Sequence, residues 1–113
     1  MKESDSDIVI AYRDGNLNAF DELVRRYMYR VYAFSYRLSG DQSIAEDVAS
    51  ETFVKVWKKL DSFDETKNFA SWLFRIARNT TFDALRKKKD IVFSRMMTDD
   101  NDDMSESIAD EHD

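Results

Sequence analysis

At 113 residues, with a formal net charge of −6, two glycines, no proline and no cysteine, the chain is sized for one domain with a modest core of three or four helices. Without cysteine there is no disulfide framework, thiol nucleophile or thiolate metal ligand, and the only histidine, His112, lies in the terminal tail, so metal chemistry, cofactor attachment and His-dependent catalysis lose their usual groups. The opening MKESDSDIVIAYRDG lacks a cationic-then-apolar signal layout and no apolar run approaches a membrane span, which places the chain in the cytoplasm as an expectation.

Apolar residues recur at helical spacing almost throughout. A first helix is predicted over Asp5–Asp14, capped by Ser4, with Ile8, Val9, Ala11 and Tyr12 on its apolar side. Gly15 and Asn16 break it. The longest helix is predicted from Leu17 to Leu38, with Phe20, Leu23, Val24, Tyr27, Val31, Phe34, Ser35 and Leu38 at i, i+3, i+4, i+7 spacing. Its further aromatics, among them Tyr29, Tyr32 and Tyr36, are read as packing rather than stacking platforms. Gly40 ends this helix.

Ser43 and Glu46 make a capping-box pattern that opens a third helix, running to about Leu60. Ala45, Val48, Ala49, Thr52, Phe53, Val56 and Leu60 form its buried face. The opposite side carries Asp47, Ser50, Glu51 and Lys58 with Val54 and Trp57 beside them. An apolar pair within a polar rim suits a partner-docking site, and it equally suits a solvated face with a half-buried tryptophan.

DSFDETK, Asp61–Lys67, is a polar loop holding Phe63, whose usual role in such a setting is an anchor into the core. The stretch KNFASWLFRIARNTTFDALRKKK, Lys67–Lys89, then makes a helix with two faces. Phe69, Trp72, Leu73, Ile76, Ala77, Thr80 and Ala84 share a core arc of roughly 140°. Arg75, Arg78, Asn79, Phe82 and Arg86 share a second arc of cations, one ring and one amide. Such a face can contact phosphates, stack on a base and read base edges, and it can also be simply solvated.

The charge is unevenly placed. Residues 67–89 hold seven basic groups against Asp83, net +6, and residues 91–113 hold eight acids against Arg95, net −7. The helix is expected to extend briefly over Asp90–Met97, and from Thr98 the sequence has too little apolar content to order itself. The expected division is therefore a helical domain over 1–97 and an acidic linker over 98–113.

The strings AEDVASETFVKVWKKLDSFD (Ala45–Asp64) and NFASWLFRIARNTTFDALRKKK (Asn68–Lys89) closely resemble region 2 of bacterial sigma factors, most of all the small extracytoplasmic-function (ECF) group. AFDELVRRY (Ala19–Tyr27) fits the preceding helix of that family. The resemblance covers about residues 5–89 and implies an all-α, promoter-binding bundle of about four helices from a transcription initiation factor. It implies docking of the third helix on the clamp coiled coil of the largest subunit of RNA polymerase core, through Asp47, Ser50, Glu51, Val54 and Trp57. It implies that the loop at Ser62, Phe63, Asp64, Lys67 and Asn68 holds a flipped base of the −10 element on the non-template strand. Asn79 and Phe82 would make sequence-dependent contacts, while Arg75, Arg78 and Arg86 would serve phosphates. An anti-sigma factor is a further partner the resemblance allows, and an enzyme activity is not expected.

Two departures qualify the match. Primary sigma factors carry a tryptophan pair where this chain has Arg75 and Ile76, which puts melting by an inserted wedge in doubt and shifts weight onto base capture by the loop. The family's second helical domain, which reads the −35 element, would follow the acidic linker, so the chain is expected to be a fragment of a longer factor.

Overall fold

The computed structural model describes residues 3–98. Four helices appear in chain order: α1 (Asp5–Arg13), α2 (Asn18–Ser39), α3 (Gln42–Lys59) and α4 (Phe69–Thr98), with a single 3₁₀ turn at Leu60–Ser62 between the last two. No β-strand occurs among the described residues. The all-α bundle expected from the apolar spacing is what forms.

Each helix starts and stops for local reasons. Ser4 caps α1, its hydroxyl oxygen accepting the Asp7 N–H at 3.1 Å. Gly40 closes α2 in the left-handed region (φ 67°), its N–H reaching the Tyr36 carbonyl, a conformation that costs a residue with a Cβ more than it costs glycine. The predicted capping box at Ser43 and Glu46 does not form. Asp41 is the cap instead, accepting the Ile44 N–H at 3.1 Å, so α3 begins at Gln42 and brings Ile44 into the core. Asn68 supplies the same service to α4, its Oδ1 accepting the Ser71 N–H at 2.9 Å.

The core lies where α2, α3 and α4 meet, with α1 laid across α2. Leu23 and Val31 of α2, Val56 of α3, Leu60 of the 3₁₀ turn and Leu73 of α4 are fully enclosed, and Ile8 and Val9 bring α1 onto them. Burying aliphatic side chains of this size contributes about 1.5–3 kcal/mol each. The core face of α4 is rotated slightly from the predicted arc: Thr81 is fully buried, while Ala84 is half-buried. Thr81 is tolerated there because its hydroxyl bonds the Ala77 carbonyl at 2.7 Å and lies 2.9 Å from the Ser35 hydroxyl of α2. On α2, Leu38 is exposed rather than buried, and Tyr29 (76% exposed) and Tyr36 (47%) are not packing residues. Tyr32 is half-buried against the core, as the packing reading expects, and the exposed Tyr36 ring stacks on it at 6.2 Å.

Polar groups tie α1 to α2. Asp5 accepts from Arg26 at 3.1 Å and from the Tyr27 hydroxyl. Burial, then the hydrogen bond to Asp5, pushes the Tyr27 phenol up to about 12. Finally, α4 runs unbroken to Thr98, two turns beyond the Lys87–Lys89 run, so the expected brief extension and the boundary at 98 become one continuous helix. The predicted acidic linker lies, apart from Thr98, outside the described residues.

Candidate functional site

The loop between α3 and α4 and the first two turns of α4 enclose an open cavity of about 480 Å³, lined by Ser62, Phe63, Asp64, Lys67, Asn68, Ser71, Trp72 and Arg75. Its shape follows from how the loop is held. After the 3₁₀ turn, Phe63 adopts an extended backbone (φ −69°, ψ 134°) that turns its ring inward. That ring, only 6% exposed, sits 4.6 Å from Trp72 and edge-on to Phe69 at 5.7 Å. The chain then reverses through Asp64, whose Oδ1 accepts from the Thr66 N–H at 2.9 Å and from its hydroxyl at 2.6 Å, the side-chain-to-backbone pattern that makes aspartate a turn residue. These Thr66 bonds hold the Asp64 carboxyl below its ordinary range.

The cavity thus has an aromatic floor and a polar rim. Phe63, which the resemblance places among the DNA-contacting loop residues, forms this floor, tilted against Trp72 and edge-on to Phe69. Trp72, placed on the core arc from sequence, is half-buried and serves as wall as well as packing. Lys67 and Arg75 put two cations at the mouth, and Ser62, Asn68 and Ser71 offer hydroxyl and amide groups. The Ser62 hydroxyl donates to the Lys59 carbonyl at 2.9 Å, so its oxygen keeps its capacity to accept. Asn68 spends its oxygen on the α4 cap, so its NH₂ remains the group free to meet a ligand.

Beyond the cavity the predicted basic face of α4 is on the surface. Arg75, Arg78, Asn79 and Arg86 are exposed. Phe82 is half-buried, with the Arg78 guanidinium 4.9 Å above its ring, so this aromatic is presented under a cation rather than bare. Arg86 is ion-paired with Asp83 three residues before it. A cavity with a stacking floor, an amide and hydroxyl rim, and cations leading away along one helix can take a flat heteroaromatic group with an attached phosphate chain.

The second predicted surface is on the other side of α3. Asp47, Ser50, Glu51, Val54, Trp57 and Lys58 are all exposed, Val54 at 49% and Trp57 at 55%. Glu51 pairs with Lys55 at 3.2 Å, and Lys55 reaches across to the Thr80 hydroxyl of α4 at 2.9 Å. Among the described residues no cluster of three or more His, Cys, Asp or Glu could hold a metal ion, and no helix is long and apolar enough to cross a membrane.

Sequence reasoning missed Ser71 as a lining residue and missed Arg13 altogether. Arg13 reaches from the end of α1 to the back of the loop. Ser71 was in plain view, three residues after Asn68 on the helix side that faces the loop; Arg13 left no periodic signal.

The fold and site define a small all-α domain with an exposed acidic-and-tryptophan face on α3 and a basic face on α4 that leads away from the cavity. The family model for Sigma-70 region 2 matches residues 23–91, and the chain belongs to that family. It is 42% identical over 77 residues to the ECF RNA polymerase sigma factor SigW of Bacillus subtilis, covering 68% of this chain and 41% of SigW. To the ECF sigma factor SigE of Mycolicibacterium smegmatis it is 41% identical over 70 residues, covering 62% of this chain and 27% of that protein. The matched stretch thus spans less than half of these curated relatives. Among solved structures it resembles an engineered region 2 of sigmaE in complex with GTAAAA (TM-score 0.69, 38% identity, covering 79% of this chain and 95% of that one). It also resembles CnrH in complex with the cytosolic domain of CnrY (TM-score 0.66, 32% identity, covering 72% and 53%).

Proposed function

We propose that this chain is the part of an ECF-type transcription initiation factor that docks on RNA polymerase core through α3 and captures bases of the promoter −10 non-template strand in the cavity beside α4. The observation that carries the proposal is the cavity itself: aromatic floor of Phe63 and Trp72, polar rim of Ser62, Asn68 and Ser71, and Lys67 and Arg75 at the mouth. A relative of the same fold is in complex with GTAAAA. Everting a base costs a few kcal/mol, and stacking on an aromatic floor returns roughly 1–3 kcal/mol per base, with rim hydrogen bonds selecting which base is kept. No covalent step, metal or cofactor enters this reading, and its place of action is the bacterial cytoplasm. The matched stretch is 41% of SigW, and the −35-reading domain that the family resemblance implies would follow the acidic residues 98–113 in a longer factor.

The test is an anisotropy titration of single-stranded GTAAAA, its single-base variants, its complement and the corresponding duplex. The expected result is a preference among single strands that exceeds the affinity for duplex. Replacing Ser62, Lys67 and Ser71 by alanine, which leaves the Phe63 floor, the Asp64 turn and the Asn68 cap in place, should flatten that preference. Equal binding of all strands, or a rim variant that keeps the whole preference, overturns base capture and leaves a merely basic helix, which would favour the more highly charged duplex.

A second reading is favoured by exposed Val54 and Trp57: capture of α3 by an anti-sigma partner, a protein competing for the polymerase-docking face. The structural relative CnrH is in complex with a protein domain. Competition between such a partner and core polymerase, abolished by Trp57→Ala on both sides, separates an overlapping site from two separate ones.

A further inference from the structure

Arg13 is the last residue of α1, and its side chain leaves that helix for the loop behind the cavity. Nη1 donates to Glu65 Oε2 at 2.7 Å; Nη2 donates to the Leu60 carbonyl at 2.9 Å and to the Phe63 carbonyl. Seven residues earlier, on the same side of α1, the Ser6 hydroxyl donates to the Glu65 carbonyl at 2.8 Å. One guanidinium therefore joins the 3₁₀ turn, the extended Phe63 and the turn that follows, with 23% of the Arg13 side chain exposed. Its Nε is buried without a partner, which shows a side chain placed for its two Nη groups at the expense of the third nitrogen. The Glu65 carboxyl is held below its ordinary range by its own backbone N–H and by Arg13.

What this fixes is the cavity floor. A peptide anchored at its carbonyl cannot rotate freely, and the Phe63 carbonyl is one of the two that Arg13 grips. The Phe63 ring then points inward at Trp72 and Phe69, and Ser62 and Asp64 on either side are set at the rim. Arg13 itself does not line the cavity. Lysine cannot replace it, because a single ammonium lacks the rigid planar fork needed to hold two carbonyls and a carboxylate in one plane.

We infer that Arg13 is a positioning residue for base capture: through Leu60, Phe63 and Glu65 it sets the loop geometry on which the cavity's base preference depends. The inference rests on the reading of that cavity as a base pocket. An arginine with a purely structural role would lower the stability of the whole bundle and reduce binding of every strand alike. A positioning role makes a different prediction, since Arg13 meets no phosphate from behind the loop: the preference falls while the affinity for scrambled strand and its salt dependence stay.

The experiment uses the 113-residue chain and its Arg13→Lys and Arg13→Ala variants, with helical content and melting followed by circular dichroism. The Trp72 indole N–H and the amides of residues 60–68 are followed by NMR, and hexamer binding is read with GTAAAA, its single-base variants and a scrambled strand. In both variants the loop amides and the Trp72 indole should shift while α2 and α3 signals hold. The ratio of best to scrambled hexamer should fall about tenfold, with scrambled-strand affinity and salt slope unchanged. Should Arg13→Ala lose its helical signal, Arg13→Lys, which keeps the charge and most of the stem, decides. A folded variant that keeps the full preference, or loses affinity for all strands equally, overturns the positioning role. A wild-type chain with no preference at all overturns the base-pocket reading itself, and then unshifted loop signals in a folded variant show in addition that Arg13 does not hold the loop.

Discussion

The two oxygens of Asp41 serve different elements. Oδ1 accepts the Ile44 N–H at the start of α3, and Oδ2 pairs with Lys88 of α4, so one carboxylate both caps a helix and ties it to its neighbour. The Lys88 hydrogen bond, then the Ile44 N–H, lowers the Asp41 carboxyl below its ordinary value. Because the folded value is the lower one, its contribution is fully present above the unfolded value, near pH 4, and is lost as pH falls through the folded value. Asp41→Asn keeps a good cap and gives up only a partly exposed ion pair, so it should cost no more than about 1 kcal/mol. Asp41→Ala removes the cap as well and should cost about 1 kcal/mol more than the asparagine variant. Thermal unfolding at pH 7 and pH 3 checks both: the gap between wild type and Asp41→Asn should narrow at the lower pH. Arg78 illustrates the other kind of residue, exposed and above the Phe82 ring. Arg78→Ala should weaken binding to all strands about equally and make the salt slope shallower by about one phosphate contact. An altered base preference would move Arg78 from backbone contact to base reading.

At the scale of elements, α3 divides its labour cleanly between faces. Ala45, Val48, Ala49, Thr52, Phe53 and Val56 are buried, while Asp47, Glu51, Val54 and Trp57 look outward. Reversal of charge on that outer face should leave the bundle intact and weaken docking on core polymerase. Asp47→Lys is the cleaner variant, since Glu51→Lys also sets a lysine against Lys55. A charge pair desolvated at the interface would make the loss about 2–5 kcal/mol, read by titration of labelled chain with core polymerase. Wild-type affinity in both variants would remove α3 as the docking helix. The helices and their buried faces were legible because a 3.6-residue period repeats over many turns and tolerates a residue or two of error at each end. The α3 cap was misread because Ser43 and Glu46 have the right spacing for a capping box. With Ile44 buried, the helix starts two residues earlier, where Asp41 stands ready after Gly40. The cavity was legible only in its loop half. Its floor needs Phe63 turned inward, and its back needs Arg13, some fifty residues away in sequence; contacts at that range leave no trace in local pattern.

For the whole molecule the question is where the charge sits relative to the binding surface. The described part is elongated, 58 × 24 × 21 Å, because α4 continues past the bundle and carries its basic residues toward one end. Arg86, Lys87, Lys88 and Lys89 stand there, and Thr98 ends the helix nine residues after Lys89, about 14 Å farther along the axis. The eight acids of residues 99–113 are covalently attached at that point. They lie outside the described residues. At 0.01 M salt the Debye length is about 30 Å, long enough for the acidic segment to be felt at the lysine run, whereas at 0.15 M it is about 8 Å, shorter than the spacing along the helix. The net −7 beyond residue 90 should then compete with nucleic acid for the basic end of α4 at low salt and scarcely at all near physiological salt. Deleting residues 98–113 should raise affinity for DNA of any sequence at 10 mM salt, with the gain shrinking steadily toward 150 mM and the base preference of the cavity unchanged throughout. Short single strands of one length, titrated by anisotropy at several salt concentrations against the full and shortened chains, measure this directly. Equal binding by the two chains at the lowest salt would end the idea of an electrostatic competitor, and a gain that persists at 150 mM would replace it with a specific, short-range contact between the acidic segment and α4.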